Sequence, residues 1–320
     1  MYLGELSVKN PLLVILGPTA SGKTKLAVSI AAKLNAEIIS ADSRQVFRGM
    51  DIGTGKDLSE YTYHGQKIPY HLIDIKNAGD RYHVDEFKNN FYHTFSDLTA
   101  AGKLPILCGG TGMYIHSVLQ NHAFTSIPVD PNLRSMLSLK PASELNSILD
   151  DFDAAFTEHA DRSTVKRLIR AIEIATYLKS NLLPEVRRPD LNIHVVGLLD
   201  DVERRREKIR LRLEMRLDEG MIEEVRNLLA SGVSAEMLCF YGLEYKIVVS
   251  YLQGRVSYTD MKSQLYFGIC QYAKRQMTFF RKMEKDGVNI HWYQADINVE
   301  VLGDRILNDL SGSFFASERN

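Results

Sequence analysis

The residues with the clearest chemical potential in this sequence form one octapeptide, Gly17-Pro18-Thr19-Ala20-Ser21-Gly22-Lys23-Thr24. It fits the pattern GxxxxGK[ST] at every fixed position. Its glycines let backbone N–H groups surround an anion, Lys23 adds a positive charge, and the Thr24 hydroxyl is placed to bind Mg²⁺. The pattern predicts a site for a diphosphate or polyphosphate, and a glycine-rich turn that binds nothing is the alternative.

The segments on either side of the octapeptide favour the phosphate site. The apolar run from Leu12 to Leu16 predicts a buried strand before it, and Lys25 to Leu34 has helical periodicity after it. A strand, a loop of this pattern and a helix in succession are typical of a phosphate-binding α/β unit.

A candidate general base follows the second predicted strand, which covers residues 37–40. Asp42 comes just after this strand. Because ligands of open α/β sheets bind outside the carboxyl ends of the strands, Asp42 is expected to face the same crevice as the phosphate loop. The alternative is a purely structural aspartate that caps a turn or helix.

Another glycine-rich junction follows the predicted strand at residues 105–108. It reads Gly109-Gly110-Thr111-Gly112 and precedes a predicted helix. Such a junction could bring the Thr111 hydroxyl into the phosphate crevice. The segment Arg48 to Lys56 is a further glycine-punctuated loop that we expect near the ligand.

Composition narrows the class of protein. The chain has 320 residues, of which 45% are hydrophobic and 25% charged, enough for one large domain or two unequal ones. Met1 to Asn10 carries no apolar segment of signal-peptide length, and no apolar run is long enough to cross a membrane. We therefore expect a cytoplasmic protein. The cysteines, Cys108, Cys239 and Cys270, are too far apart for a zinc module.

Charge is unevenly distributed, although the net charge is only −1. Residues 162–188 carry seven Lys or Arg against two acids, and residues 203–216 carry seven against three. In the second window Arg204, Lys208, Arg212 and Arg216 recur every four residues, which places them on one helix face. A solvated face is the ordinary interpretation of one such stripe, but several stripes together favour a polyanionic partner.

The order of the elements predicts an α/β fold, in which a parallel sheet core resembling that of P-loop NTPases carries an inserted helical domain and a helix-rich C-terminal part. We place the discontinuous core at residues 1–125 and 190–320 and the insertion at 126–189. Within the core, residues 70–75 predict a strand, and residues 235–252 and 258–285 predict two long helices. The sequence lacks the apolar strand ending in paired acids that a motor-type ATPase needs. The loop is therefore expected to hold a phosphate leaving group without ATP hydrolysis.

Several strings together resemble the tRNA dimethylallyltransferase family. They are GPTASGKT (17–24), ADSRQVFRGMDIGTGK (41–56), PYHLIDI (69–75), GGTGMYI (109–115), RLIRAIEI (167–174) and YAKRQMTFFR (272–281). Their order and separations are similar to those of the family over roughly residues 11 to 293. The combination makes the resemblance specific, since the phosphate loop alone would allow many activities.

The resemblance implies transfer of a dimethylallyl group from dimethylallyl diphosphate to the exocyclic amine of the adenosine just 3′ of a tRNA anticodon, with Mg²⁺ on Thr24. It implies that Asp42 is the general base, that Thr111 and Arg212 contact the diphosphate, and that the insertion clamps the anticodon stem-loop. The positions similar to the family's tRNA contacts are Asp42, Ser43, Arg44, Gln45, Thr111, Arg134, Lys166, Arg167, Arg170, Lys274, Arg275, Gln276, Thr278 and Arg281. A monomer is expected.

The chain departs from the family pattern on the side expected to face RNA. A usual Thr-Arg pair is replaced by Ile269 and Cys270, and a usual Gly-Tyr-Lys-Glu string reads Gly-Leu-Glu-Tyr at 242–245. Phe279 stands where the family has Trp, and Arg216 stands where it has Met. The donor half of the pattern is complete, whereas the RNA-facing half has lost an arginine and two aromatic side chains.

Three functions remain open at this point. The first is the tRNA prenyltransferase, and the second is an enzyme that prenylates free adenine nucleotides or phosphorylates a small molecule. The third is a noncatalytic RNA-binding paralogue. The insertion and basic helices favour the first over a compact nucleotide enzyme, and the set of Lys23, Thr24, Asp42 and Thr111 disfavours the third.

Overall fold

The computed structural model describes residues 8–120, 123–158, 160–183, 188–311 and 314. Residues 1–7, which include most of the segment inspected for a signal peptide, and residues 121–122, at the predicted boundary of the insertion, lie outside the described residues. The chain divides into two compact units, one made of residues 1–120 and 189–320 and the other of residues 121–188. Among the helices of the described ranges, none combines the length and apolarity needed to span a bilayer.

The strands all belong to the first unit. In chain order they are β1 Pro11–Leu16, β2 Glu37–Ser40, β3 Phe47–Arg48, β4 Thr62–Tyr63, β5 Gln66–Lys67, β6 Tyr70–His71, β7 Lys76–Asn77, β8 Pro105–Gly109, β9 Asn192–Leu199 and β10 Ile290–Gln294.

The main sheet is parallel and has the order β10-β9-β1-β8-β2-β6. The chain moves to one side of β1 to build β2, β6 and β8, and then to the other side to build β9 and β10. The order therefore reverses at β1, and a reversal of this kind opens a crevice beyond the carboxyl ends of the strands. The predicted α/β class with a parallel sheet is confirmed.

The helices, in chain order, are α1 Lys23–Leu34, α2 Val84–Ala100, α3 Gly112–Leu119, α4 Pro131–Ser138, α5 Ala142–Asp150, α6 Ala154–Thr157, α7 Val165–Leu178, α8 Val202–Asp218, α9 Met221–Ala230, α10 Ala235–Tyr241, α11 Leu243–Leu252, α12 Tyr258–Lys285 and α13 Val299–Ser311.

Helices cover both faces of the sheet. Alternate residues of β1 enter different hydrophobic clusters: Leu12 and Val14 pack in the cluster that includes residues of α2, α3 and α12, and Leu13 and Ile15 pack in the cluster with α1 and α13. Burial on both faces explains why β1 is continuously apolar instead of alternating. A rigid central strand thus leads directly into the phosphate loop.

The second unit is helical and has its own core. Helices α4 to α7 pack around Leu145, Leu149, Leu168 and Ile172, which are buried together. The Thr164 side chain caps α7 by accepting a hydrogen bond from the N–H of Arg167 at 3.3 Å. Helices α4 to α7 therefore form a helical bundle with its own hydrophobic core.

Two predicted elements of the first unit are wrong in extent. The strand predicted at 70–75 stops after His71, because Leu72 and Asp74 adopt left-handed backbone conformations with φ of 61° and 55°. The helix predicted at 235–252 is broken at Gly242, where φ of 139° and ψ of −166° are accessible to glycine and interrupt the helical hydrogen bonds. The break at Gly242 lies at the cavity described below, and the turn at Asp74 pairs with Lys56.

Candidate active site

The phosphate loop follows β1 and ends where α1 begins at Lys23. Gly22, which caps this helix, has a left-handed φ of 81°. Burial lowers the pKa of the Lys23 ammonium below its ordinary value. A buried cation at a helix N-terminus makes this point a strong site for a phosphate anion.

Gln276 of α12 braces the phosphate loop. Its Oε1 accepts a hydrogen bond from the backbone N–H of Thr19 at 2.8 Å, and its Nε2 donates one to the carbonyl oxygen of Gly110 at 2.8 Å. A β-carbon on Gly110 would lie only 2.4 Å from Gln276 Nε2, so glycine is needed there for the close approach. Gln276 is buried. Its side-chain amide therefore supports the loop, and its assignment as a tRNA contact stays a prediction.

Asp42 lies in a tight turn after β2. Its Oδ1 accepts hydrogen bonds from the N–H groups of Arg44 at 2.8 Å and Gln45 at 3.3 Å. Among the described residues, no donor lies within hydrogen-bonding distance of Oδ2. One oxygen therefore fixes the turn, as the structural interpretation required, and the other is free for a proton of a substrate.

Thr111 stands beside this turn, but it does not line the cavity that contains Asp42 and Lys23. Its Oγ1 accepts a hydrogen bond from the N–H of Ser43 at 3.1 Å. The Thr111 hydroxyl thus holds the turn that carries Asp42. Direct contact between Thr111 and a diphosphate stays a prediction.

The basic stripe of α8 is not the free surface that its spacing predicted. Lys208 donates a hydrogen bond to Asp200 at 2.6 Å, and Arg204 forms an ion pair with Asp296 at 3.3 Å. Arg216 is buried. Arg204 and Lys208 therefore neutralise acids of the protein, and Lys208 and Arg216 also line the cavity described below.

Arg212 of this stripe lines the cavity as predicted, together with Lys208 and Arg216. It forms an ion pair with Asp57, which follows the glycine-rich loop at 49–56. A guanidinium paired with one carboxylate keeps donors that can bind an incoming phosphate oxygen. Asp57 therefore orients Arg212 toward the space in front of Lys23.

The loop that carries Asp57 is held by a carboxylate from α9. Glu224 accepts hydrogen bonds from the backbone N–H groups of Asp51 at 2.7 Å, Ile52 at 2.6 Å and Gly53 at 3.0 Å. Its Oε1 also accepts a hydrogen bond from the hydroxyl of Tyr245 at 2.8 Å. Four donors converge on one carboxylate and fix the loop from outside.

The same loop is held from inside by Lys56, whose side chain is buried. The ammonium donates to the carbonyl oxygen of Phe47 at 2.7 Å and to Asp51 at 2.5 Å, and it also pairs with Asp74. This contact explains the turn at Asp74, which the sequence suggested as a strand. Sequence analysis missed the roles of both Lys56 and Glu224, and the only signal was the conspicuous RGMDIGTGK string.

These elements enclose one cavity of about 750 Å³ in the first unit. The predicted site residues that line it are Thr19, Ala20, Gly22, Lys23, Thr24, Asp42, Ser43, Arg44, Gln45, Arg212, Arg275 and Gln276. Gln45 connects the turn that carries Asp42 to the glycine-rich loop, because its side chain donates a hydrogen bond to the carbonyl oxygen of Gly55 at 3.1 Å. Burial raises the pKa of the lining thiol, Cys108, to about 12, so this cysteine is neutral and is not a nucleophile.

Some of the remaining predicted tRNA contacts are exposed side chains, and others form ion pairs or hydrogen bonds within the protein. Lys274, Thr278 and Arg281 are exposed along α12, and Lys166 is exposed on α7. In contrast, Arg134 forms an ion pair with the buried carboxylate of Glu173 at 2.5 Å.

Two further arginines of the second unit also have protein partners. Arg170 donates hydrogen bonds to the carbonyl oxygens of Phe124 and Ile127 at 2.9 and 2.7 Å. Arg167 forms an ion pair with Asp161 at 2.9 Å. Arg134 and Arg170 therefore stabilise the helical unit, and their contacts with tRNA stay predictions.

A parallel sheet, a phosphate loop at its switch point and a polar cavity define a P-loop-type α/β protein. A family model described as IPP transferase matches residues 45–283, and one described as isopentenyl transferase matches residues 10–70. The chain belongs to the tRNA dimethylallyltransferase family, whose members are prenyltransferases.

Relatives and solved structures agree with this membership. The tRNA dimethylallyltransferase 1 of Parabacteroides distasonis is 50% identical over 290 residues, which are 90% of this chain and 94% of that protein. The tRNA dimethylallyltransferase 2 of Bacteroides fragilis is 49% identical over 289 residues, 90% of this chain and 94% of that protein. The tRNA isopentenylpyrophosphate transferase of Bacillus halodurans has a TM-score of 0.70 at 31% identity, covering 95% of this chain and 97% of that one.

Proposed function

We propose that this protein transfers the dimethylallyl group of dimethylallyl diphosphate to the exocyclic amine of the adenosine next to the anticodon of a tRNA, on its 3′ side. One observation carries the proposal: a free carboxylate oxygen of Asp42 and the phosphate loop with Lys23 line the same cavity. A base for the acceptor and a site for the leaving group are thus present together.

In the reaction, the bond between the allylic carbon and the diphosphate oxygen breaks while the bond from that carbon to the adenine nitrogen forms. The amine must lose one proton in this step, and Asp42 Oδ2 accepts it. The leaving diphosphate takes the electron pair of the broken bond. The loop N–H groups, Lys23 and Arg212 stabilise its developing negative charge.

A Mg²⁺ ion fits the residues present. The Thr24 hydroxyl lines the cavity and has no hydrogen-bond partner among the described side chains. Mg²⁺ is commonly held by one or two protein oxygens together with substrate phosphates, so a full protein cage is not required. When bound, the ion would supply further positive charge to the diphosphate. Thr24 would hold it, and Lys23 and Arg212 would orient the same phosphates.

The acceptor must reach Asp42 from the mouth of the cavity. An adenine base inside a stacked anticodon loop cannot do so, and enzymes that modify a base take it out of the stack. We propose that the exposed cations Lys274 and Arg281 of α12 and Lys166 of α7 bind the tRNA backbone while the base is inserted. We also propose a monomer as the functional unit.

The decisive experiment is a transfer assay with labelled dimethylallyl diphosphate and three acceptor conditions: bulk tRNA, AMP and no acceptor. Label should appear in tRNA alone. Transfer to AMP would favour the free-nucleotide enzyme, and phosphate release from ATP would favour a kinase.

The matched variant is Asp42→Asn, which keeps the turn because the amide oxygen can still accept from the backbone. It should abolish transfer and leave the binding of both substrates nearly unchanged. Near-normal turnover by Asp42→Asn would remove Asp42 from the role of base.

A further inference from the structure

A cluster of exposed aromatic rings and arginines lies at the mouth of the cavity. The guanidinium carbon of Arg81 lies 5.3 Å from the ring centroid of Phe240, and that of Arg44 lies 5.9 Å from the same centroid. Arg275 stands 5.9 Å from the ring centroid of Tyr272. We call these five residues the aromatic rim.

The aromatic rim is continuous with the active site. Arg44, Tyr272 and Arg275 line the cavity, and a β-carbon built on Gly242 would lie 3.6 Å from Arg44 Nε. Burial raises the pKa of the Tyr272 hydroxyl, which therefore stays neutral, and the charges of Arg44 and Arg275 act on it from nearby. A ligand in the cavity can therefore contact Arg44, Tyr272 and Arg275 of the rim.

The rim is held in place by its surroundings. The hydroxyl of the buried Tyr241 accepts a hydrogen bond from the N–H of Gly79 at 2.6 Å and donates one to the carbonyl oxygen of Asp80 at 2.7 Å. These bonds fasten the loop that carries Arg81 beside the end of α10. Phe240 is nevertheless 46% exposed, although its neighbour Tyr241 is fully buried.

The charges of the rim are not used inside the protein. In the described ranges of the chain, Arg44, Arg81 and Arg275 lie beyond ion-pair distance of every carboxylate. Arginines elsewhere on the surface behave differently: Arg206 and Arg226 pair with neighbouring glutamates. Three unpaired guanidinia around two exposed rings match an anionic ligand that also offers flat aromatic faces, which is the chemistry of unstacked nucleotides.

The aromatic rim provides an aromatic ring and a cation in a chain that lacks the usual Trp and Arg of the family pattern. Phe279, in place of the usual Trp, packs closely against Gly112, and Cys270, in place of the usual Arg, packs against the main core. Both side chains are partly buried. Phe240 and Arg81 supply an exposed ring and an exposed cation at a different part of the cavity mouth.

We propose that Phe240 is a stacking platform for an unpaired base of the tRNA anticodon loop, and that Arg44 and Arg81 bind the phosphates beside that base. The proposal rests on the tRNA-modifying function given above and assigns Phe240, Arg81 and Tyr272 to RNA recognition. Stacking is available to any base, so the platform contributes affinity and holds the loop open rather than reading its sequence.

The test is tRNA binding by variants of Phe240 in the full-length protein. Phe240→Ala should weaken binding by on the order of tenfold, as loss of one base-stacking contact does. Phe240→Tyr keeps the ring and should bind as the parent does, whereas Phe240→Leu keeps only apolar area and should behave as the alanine variant. The matched control is Phe267→Ala, since Phe267 is also exposed but has no guanidinium over its ring.

Two further readouts separate stacking from general damage. A 2-aminopurine base placed beside the target adenosine should be quenched on binding to the parent protein and remain fluorescent with Phe240→Ala. Arg81→Gln should reduce the slope of log affinity against log salt by about 0.7 to 0.9, as expected for one phosphate. Affinity for dimethylallyl diphosphate should not change in any of these variants.

The proposal is overturned if Phe240→Ala binds tRNA as tightly as the parent, or if Phe240→Leu restores binding in full. It is also overturned if Phe240→Ala weakens binding of polyglutamate and leaves tRNA binding unchanged, because the rim would then be a surface for an acidic protein. A parent protein that binds tRNA with a quenched base but never transfers the prenyl group would refute the proposed function and leave the stacking platform standing.

Discussion

Glu224→Gln tests whether a residue that orders a loop of the active site affects activity without contacting the reacting groups. Glu224 touches neither Asp42 nor the phosphate loop, yet its carboxylate accepts hydrogen bonds from three backbone N–H groups at 51–53 and from Tyr245. In the glutamine variant one oxygen becomes an NH₂ donor. Tyr245 can rotate its hydroxyl to accept from that group, but the N–H of Gly53 then faces another donor.

The size of the effect follows from these bonds. A hydrogen bond to a charged group contributes about 1.5–3 kcal/mol and a neutral one about 0.5–1.5, so the two bonds to Oε2 each weaken by about 1 kcal/mol. Leaving the Gly53 N–H unpaired costs about 1–3 kcal/mol more. The ordered loop is thus destabilised by about 3 kcal/mol or more, which corresponds to about a hundredfold change in the equilibrium constant between its ordered and disordered states.

The loop carries Asp57, which orients Arg212, and its disorder should therefore impair donor binding. We expect kcat/KM for dimethylallyl diphosphate to fall by about ten- to a hundredfold, measured at saturating tRNA, while the affinity for tRNA stays unchanged. Tyr245→Phe removes one donor and leaves the carboxylate in place, so its effect should be several times smaller.

The control is Glu223→Gln at the neighbouring position. Glu223 pairs with Arg226 on the surface, where such pairs contribute little, and its substitution should be silent. The reasoning is refuted if Glu224→Gln lowers the thermal midpoint but leaves kcat/KM for the donor intact, because order in the loop would then be irrelevant to the donor site.

Three other predictions concern single side chains. Gln276→Leu should raise KM for the donor about tenfold by leaving the Thr19 N–H and the Gly110 carbonyl unpaired, whereas Gln271→Leu on the exposed side of α12 should not change it. Lys56→Met should cost about 3–5 kcal/mol of unfolding free energy in urea because two carboxylates lose their cation, and Lys67→Met on the surface should cost little. Burial lowers the pKa of Lys23, and a bound diphosphate favours its charged form, so donor affinity should be full below that pKa and fall as pH rises through it. Calorimetry in buffers of different ionisation enthalpy should show that donor binding takes up protons at pH values near that pKa. The Lys23→Arg variant should bind the donor without this proton uptake.

The sequence was sufficient where structure depends on local patterns. The phosphate loop with its flanking strand and helix, the bounds of α12 and the position of Asp42 after a strand all follow from residues close in the chain. Periodicity identified the buried face of α8 through Ile209 and Leu213. It could not show what the opposite face contacts: Arg204 pairs with Asp296, Lys208 pairs with Asp200, and Arg212 lines the cavity.

The contacts that support the site depend on residues far apart in sequence. Glu224 binds backbone groups at 51–53, and backbone N–H groups leave no trace in a sequence. The resemblance to the family placed Gln276 among the tRNA contacts, and nothing in the sequence shows that its side chain bonds to the Thr19 N–H and the Gly110 carbonyl. Gly242 ends α10 within a stretch that otherwise has continuous helical periodicity, and the family strings alone do not predict the break.

The position of β1 in the sheet has a consequence for synthesis of the chain. On one side β1 pairs with β8 and on the other with β9, in a register that joins Pro11 to Asn192. The whole helical unit lies between those two partners in the sequence. A nascent chain therefore exposes one long edge of its most apolar strand until residue 199 has left the ribosome, and such an edge is a template for wrong pairing. The helical unit, which has its own core, emerges during this interval and lengthens it, so the yield of active enzyme should depend on chaperones that cover an unpaired strand.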